Sequence, residues 1–207
     1  MKINIGIIIA VIALLIAGIV FIKASIYSPD NETSLVPQEN QIVTTSIEPT
    51  IVSPENIPTE HYPQRFSIPK LSVDTEVQSV GIKDNGNMAN PTNFTDVGWF
   101  KLGVAPGYIG SSVVAGHVDN GLGRPGVFYD LHKLKIGDSV YVEREDGVKL
   151  QFKVTNIASY PYDDAPLKDI FARSDKARLN LITCIGDWIK EEKNYTERLV
   201  VYTELVE

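Results

Sequence analysis

Between Asp138 and Tyr160 the chain reads DSVYVEREDGVKLQFKVTNIASY. Val140 and Val142 alternate with polar residues on the way in. Leu150, Phe152 and Val154 alternate on the way back, and Asp146-Gly147 sits between the two arms. Side chains on a strand point to opposite faces with a period of two, and Asp-Gly supplies the positive φ that a tight hairpin turn needs. The segment therefore predicts a long β-hairpin with one buried face, which commits much of the chain to a β architecture.

The rest of the sequence from Arg65 onward follows the same pattern. RFSIPKL and TEVQSVGI are short alternating runs, with the turn-forming DNGN just beyond. SSVVAGHV is a candidate buried strand, and ARLNLITC and ERLVVYTEL predict two more near the C-terminus. Helical signals amount to a turn at 127–131 and another at 167–171. Seven or eight short strands joined by Pro- and Gly-rich connections predict an all-β barrel or sandwich.

The first 23 residues are of another kind. The run from Ile5 to Ile22 is apolar and is flanked by Lys2 and Lys23. As a helix it would rise roughly 27 Å, enough to cross a bilayer core. A cleaved signal peptide has a shorter apolar core and a small-residue cleavage site. The length of this run, and Lys23 beside the only plausible site, favour an uncleaved transmembrane anchor. The acids beyond it favour an N-terminus in the cytoplasm and a body outside the membrane.

Residues 24–63 hold half of the twelve prolines and show no sustained period, which predicts an extended linker. From Ala24 to Gln64 there are six acids and no Lys or Arg, so most of the net charge of −7 lies there. The remaining body, residues 64–207, is nearly neutral. It has no basic stripe of the kind that neutralises phosphates, which argues against nucleic-acid binding.

Cys184 is the chain's sole cysteine, so no internal disulfide can form. An unpaired thiol in an exported protein points to a reactive group or to pairing between chains, but a buried cysteine also serves as a small hydrophobe. His117 follows VVAG, Cys184 ends NLIT, and Arg198 begins RLVVYTEL. If the three ends converge, a thiol, an imidazole and a guanidinium share one cleft, a set suited to acyl transfer. Each residue alone has a plain structural alternative. His61 reads as a solvated linker residue and His132 as part of a polar turn. Scattered His residues and one Cys show no metal-ligand spacing, and the loop acids Asp119, Asp163 and Asp164 do not define a metal site.

SSVVAGHVD, LNLITC and ERLVVYTEL together resemble the sortase family of cysteine transpeptidases from Gram-positive surfaces. Leu181, Ile182, Thr183 and Cys184 match the family's Thr-Leu-x-Thr-Cys strand, with Asn180 in place of its first Thr. FSIPKLSVDTEV, DVGWFKLGVAPGYIGSSVVAGHVDN and RLNLITC are similar, in that order, to the class F subgroup. The resemblance spans about residues 64–207 and implies a closed eight-stranded β-barrel with short helices.

It also implies cleavage of a Leu-Pro-x-Thr-Gly-like sorting signal on surface proteins. The acyl group would pass through a thioester to an amine, such as that of a peptidoglycan precursor or another protein, without a cofactor. By the same resemblance Cys184 would be the nucleophile, with Arg198 and His117 favouring its thiolate. His117 would be the general acid/base, and Arg198 would stabilise the oxyanion or hold substrate. Thr183 would add a hydrogen bond, and Pro166, Leu167 and Ile170 would wall the pocket for the Leu-Pro part. A barrel that only binds peptides at the surface, its thiol incidental, keeps the same fold.

Overall fold

The computed structural model describes residues 50–172 and 174–207. The predicted anchor at residues 1–23 and most of the 24–63 linker lie outside them. Among the described residues no helix is long and apolar enough to cross a membrane.

Eight strands form the body: β1 Pro63–Ile68, β2 Val73–Val80, β3 Val97–Phe100, β4 Gly110–Gly116, β5 Ser139–Arg144, β6 Lys149–Pro161, β7 Ala177–Ile189 and β8 Asn194–Leu205. One short helix, α1, spans Leu167–Phe171. The strands close into a barrel in the order β1-β2-β3-β4-β7-β8-β6-β5. A barrel rather than a sandwich thus resolves the two architectures open from the strand pattern. Six of the eight neighbouring pairs are antiparallel, while β2–β3 and β4–β7 are parallel.

The predicted hairpin is β5–β6. Val142 faces Leu150 and Glu143 faces Lys149. Gly147 takes φ +80°, and the Asp146 carboxylate accepts a hydrogen bond from the Val148 N–H at 3.1 Å. On β5 the buried residues Val140 and Val142 point inward as the alternation requires. They meet Phe66, Ile68, Trp99, Phe152, Leu179 and Leu181, all within the barrel. Burial of this set supplies the main favourable term for closure, at roughly 1.5–3 kcal/mol per large side chain.

The expected turn at 127–131 is present and runs into a single 3-10 turn at Leu131–Lys133. One expectation needs correcting: residues 50–63 do not belong to a loose linker. Ile57 is buried, with Val52 and Tyr62 packed on the same core. Backbone bonds run from Ile109 N to Thr50 O and from Asp146 N to Glu60 O. His61 is therefore not solvated: its Nδ1 lies 2.5 Å from the Tyr108 hydroxyl, and its Nε2 lies 3.7 Å from Asp146. Apolar residues spaced between prolines gave this arm enough surface to bury against the barrel.

A second apolar cluster lies on the outer face. Val113 of β4, Ile170 of α1 and Val200 of β8 are buried there, flanked by Phe100, Ile182 and Tyr202. The alternation of β7 explains both layers. Leu179 and Leu181 enter the barrel, while Asn180 and Ile182 face outward beneath α1.

Candidate active site

Cys184 lies two residues beyond Ile182 and so shares its outer face. The last paired residues of β4 and β7 are Ala115 and Ile182. Carrying that parallel register two residues further brings His117 level with Cys184, on the same face. The Thr183 hydroxyl donates to the Gly116 carbonyl at 2.9 Å and stitches the two chains together at this point. On its other side Cys184 stands directly opposite Arg198 in the antiparallel β7–β8 ladder. Opposed residues in such a pair have Cβ atoms about 4.5–5.5 Å apart and point to one face. On this extended register His117, one residue past the end of β4, lines up in a row with Cys184 of β7 and Arg198 of β8.

Cys184 was expected at a strand end, but β7 continues to Ile189. Past Ile185 a bulge at Gly186, with φ +87°, interrupts the register, and the ladder resumes at Trp188 opposite Tyr195. A side chain at position 186 would place its Cβ 2.2 Å from the Thr196 hydroxyl, so glycine is required there. Cys184 accordingly marks where β7 parts from β4 and continues with β8 as a two-stranded ribbon.

Each member of the row has its own support. His117 Nε2 lies 3.2 Å from the Pro91 carbonyl. A carbonyl only accepts, so this nitrogen carries the proton of the contact and Nδ1 is the free site in the neutral ring. Arg198 donates to the Glu197 carbonyl at 2.9 Å, to the Tyr195 carbonyl at 3.3 Å and to Asn194 Oδ1 at 2.7 Å. Its guanidinium carbon lies 5.8 Å from the centre of the Tyr162 ring. Asn194, at the start of β8, therefore aims the guanidinium along the ribbon.

The electrostatics differ from expectation. Burial pushes the Cys184 thiol up, and the charge of Asp119 adds to this. Arg198 and, more weakly, Lys83 pull it down without cancelling the burial. Partial burial thus favours the thiol over the thiolate in the free protein, because an anion there loses part of its hydration.

The expected substrate contacts divide. Leu167 is 63% exposed, and Pro166 is half-buried at the start of α1. Ile170, expected to wall the pocket, is instead 1% exposed and packs into the outer cluster. Thr183 is also buried, and its hydroxyl proton is already committed to Gly116, which makes it a brace between strands.

Two further residues interact electrostatically with the thiol: Asp119, read from the sequence only as a loop acid, and Tyr195, which carries no signal there. Tyr195 donates its hydroxyl to the Asp119 carboxylate, which lies two residues past His117. That bond, then burial and the charge of Asp119, raise the phenol to about 12, with Cys184 adding least. Among the described residues, no three His, Cys, Asp or Glu side chains gather as a metal site. A cleft of about 540 Å³ lined in part by Phe94, Val127 and Tyr129 does not include the three residues of the row.

The fold is a closed eight-stranded barrel whose one cysteine, Cys184, faces Arg198 across the β7–β8 ladder. The family model of the sortase domain matches residues 66–206, and the chain belongs to the sortase family. No curated protein matches the chain significantly.

Solved structures similar to it are sortases A and C. Sortase A from Corynebacterium diphtheriae matches at 21% identity and TM-score 0.56, over 70% of this chain and 61% of that one. Sortase C1 from Streptococcus agalactiae matches at 25% identity and TM-score 0.55, over 70% and 67%. Sortase C from Clostridium perfringens matches at 23% identity and TM-score 0.52, over 73% of each. The chain thus spans less than two thirds of the Corynebacterium protein.

Proposed function

We propose that this chain is a cysteine transpeptidase of the class F kind, held at the outer face of a Gram-positive-type membrane by residues 1–23. Its substrates are surface proteins with a Leu-Pro-x-Thr-Gly-like signal, and its acceptor is a cell-wall or protein amine. What supports this reading is the pairing of Cys184 with Arg198 across β7 and β8, with His117 one residue past the end of the neighbouring β4.

In the reaction the Cys184 sulfur attacks the carbonyl of the signal's Thr, the C–S bond forms as the Thr–Gly C–N bond breaks, and the thiol proton passes to the departing Gly nitrogen. The N–H groups of Arg198 stabilise the oxygen that becomes negative. His117 protonates the departing Gly amine and later takes a proton from the incoming one. The cycle balances without a cofactor. Because the resting sulfur is protonated, substrate must raise the thiolate fraction. A bound peptide does so by bringing Arg198 off Asn194 and toward the developing charge.

The test is mass spectrometry of the protein incubated with a library of signal peptides. An acyl adduct on Cys184, lost in Cys184→Ala with the fold intact, is the expected result. Equal turnover in Cys184→Ala would refute the assignment. A second reading, a peptide-binding barrel without catalysis, is favoured by the resting thiol and by the engagement of Arg198 with Asn194. Hydroxylamine separates the two, since only an acyl-enzyme yields a hydroxamate.

A further inference from the structure

Asp119 accepts two hydrogen bonds, from the Gly121 N–H at 2.8 Å and from the Tyr195 hydroxyl. Among the described residues no basic side chain forms an ion pair with it. It lies on the loop that carries His117, and its charge acts on the Cys184 sulfur. An unpaired carboxylate there opposes the first chemical step, because it disfavours a thiolate. A group that hinders acylation but sits in the site has a use if it assists the second half of the cycle.

That second half brings in an amine. Amines with ordinary pKa values, about 8 for a chain terminus and about 10.4 for lysine, arrive as ammonium ions at neutral pH. We propose that Asp119 is the docking group for the acceptor's ammonium, a place the Tyr195 hydroxyl fills while no acceptor is bound. This assignment rests on the transpeptidase reading. A charged donor replaces a neutral one on the same carboxylate, a stronger bond of the same geometry. The other charged or titratable groups near the sulfur are Arg198 and Tyr195 on β8, Lys83 in the connection after β2, and His117. Asp119 is the one anion at neutral pH in that set.

The transfer step balances with these groups. The docked ammonium gives one proton to the neutral His117 ring, and the freed nitrogen attacks the thioester carbonyl. The C–N bond forms and the C–S bond breaks. The second nitrogen proton passes to the departing sulfur. The products are an amide, a Cys184 thiol and a protonated His117, the state from which the next acylation starts.

The experiment measures aminolysis against hydrolysis of the acyl-enzyme. It uses a signal peptide with a triglycine acceptor, and separately with hydroxylamine, which is uncharged at neutral pH. Asp119→Asn should raise the acceptor KM for triglycine by about tenfold or more, the scale of one charge-assisted bond. Capture of the preformed acyl-enzyme by hydroxylamine should be unchanged, while acylation itself should quicken. Tyr195→Phe keeps the ring against Trp188 but removes the competing hydroxyl, so it should lower the triglycine KM.

An unchanged triglycine KM in Asp119→Asn, an equal loss with both nucleophiles, or a raised KM in Tyr195→Phe would each overturn the assignment. Absence of any Cys184 adduct in the unsubstituted chain would instead remove the transpeptidase reading, and the docking role with it.

Discussion

Replacing Thr183 by Val tests the stitch between β4 and β7. The two side chains have nearly the same shape, so the change removes a hydroxyl and adds little strain. Thr183 is buried and its hydroxyl donates to the Gly116 carbonyl at 2.9 Å. Losing a buried hydrogen bond and leaving its acceptor beside a methyl group costs about 1–2 kcal/mol. For a domain of this size each kcal/mol moves the midpoint of thermal unfolding by about 2–4 °C. The expected drop in Tm is therefore roughly 2–8 °C, read by circular dichroism on the purified chain.

The same bond holds His117 level with Cys184, because the β4–β7 ladder proper ends at Ala115 and Ile182. Transfer measured well below the new Tm should fall too, through kcat more than through the peptide KM. A Tm within about 1 °C of the parent would show that Gly116 finds another donor. Loss of stability with full activity would show that the imidazole is held by other contacts, with Pro91 the first to examine.

Three further outcomes follow from the site. Alkylation of Cys184 by iodoacetamide should still be accelerating with pH above about 8.5, the ordinary thiol value, because burial raises its pKa. Arg198→Met removes a cation that lowers that pKa, so it should slow alkylation at about pH 8, whereas a plateau below about pH 7 in the parent would refute the resting thiol. Arg198→Lys should cut kcat on the order of 10²-fold, since a point ammonium cannot replace a planar fork of donors, and near-normal turnover would make Arg198 structural. Ile170→Ala should cost about 2–5 kcal/mol by leaving a void under α1, while Leu167→Ala should leave Tm unchanged, and a reversal measured by denaturant titration would undo their assignment to core and surface.

The elements legible in the sequence were those with a strict period. β5, β6, β7 and β8 alternate over long runs, and the Asp146-Gly147 turn fixes its own geometry. β3 is four residues long and buried on nearly all of them, so it shows no alternation to read. The fixed arm at 50–63 was hidden because its prolines resemble those of a flexible tether, and only packing distinguishes the two. The three residues of the row could be named from the sequence because they fall at motif positions. Their surroundings could not: Asp119, Tyr195 and Asn194 reach the site through register and loop closure, which no local pattern encodes. The thiol's protonation was misjudged for a related reason. Counting nearby cations ignores the lost hydration, and that loss depends on what covers the sulfur.

The place of β8 in the barrel also governs when the molecule can become whole. It is the last strand in chain order, yet it is inserted between β7 and β6. Until residues 194–205 have been synthesised, both of those long strands expose a bare flank of N–H and C=O groups, and Arg198 does not yet exist. A growing chain cannot complete the sheet from its N-terminal end, so closure of the barrel waits until residues 194–205 have been made. Over that interval the nascent protein is open to pairing with other strands, a hazard the finished cylinder does not share.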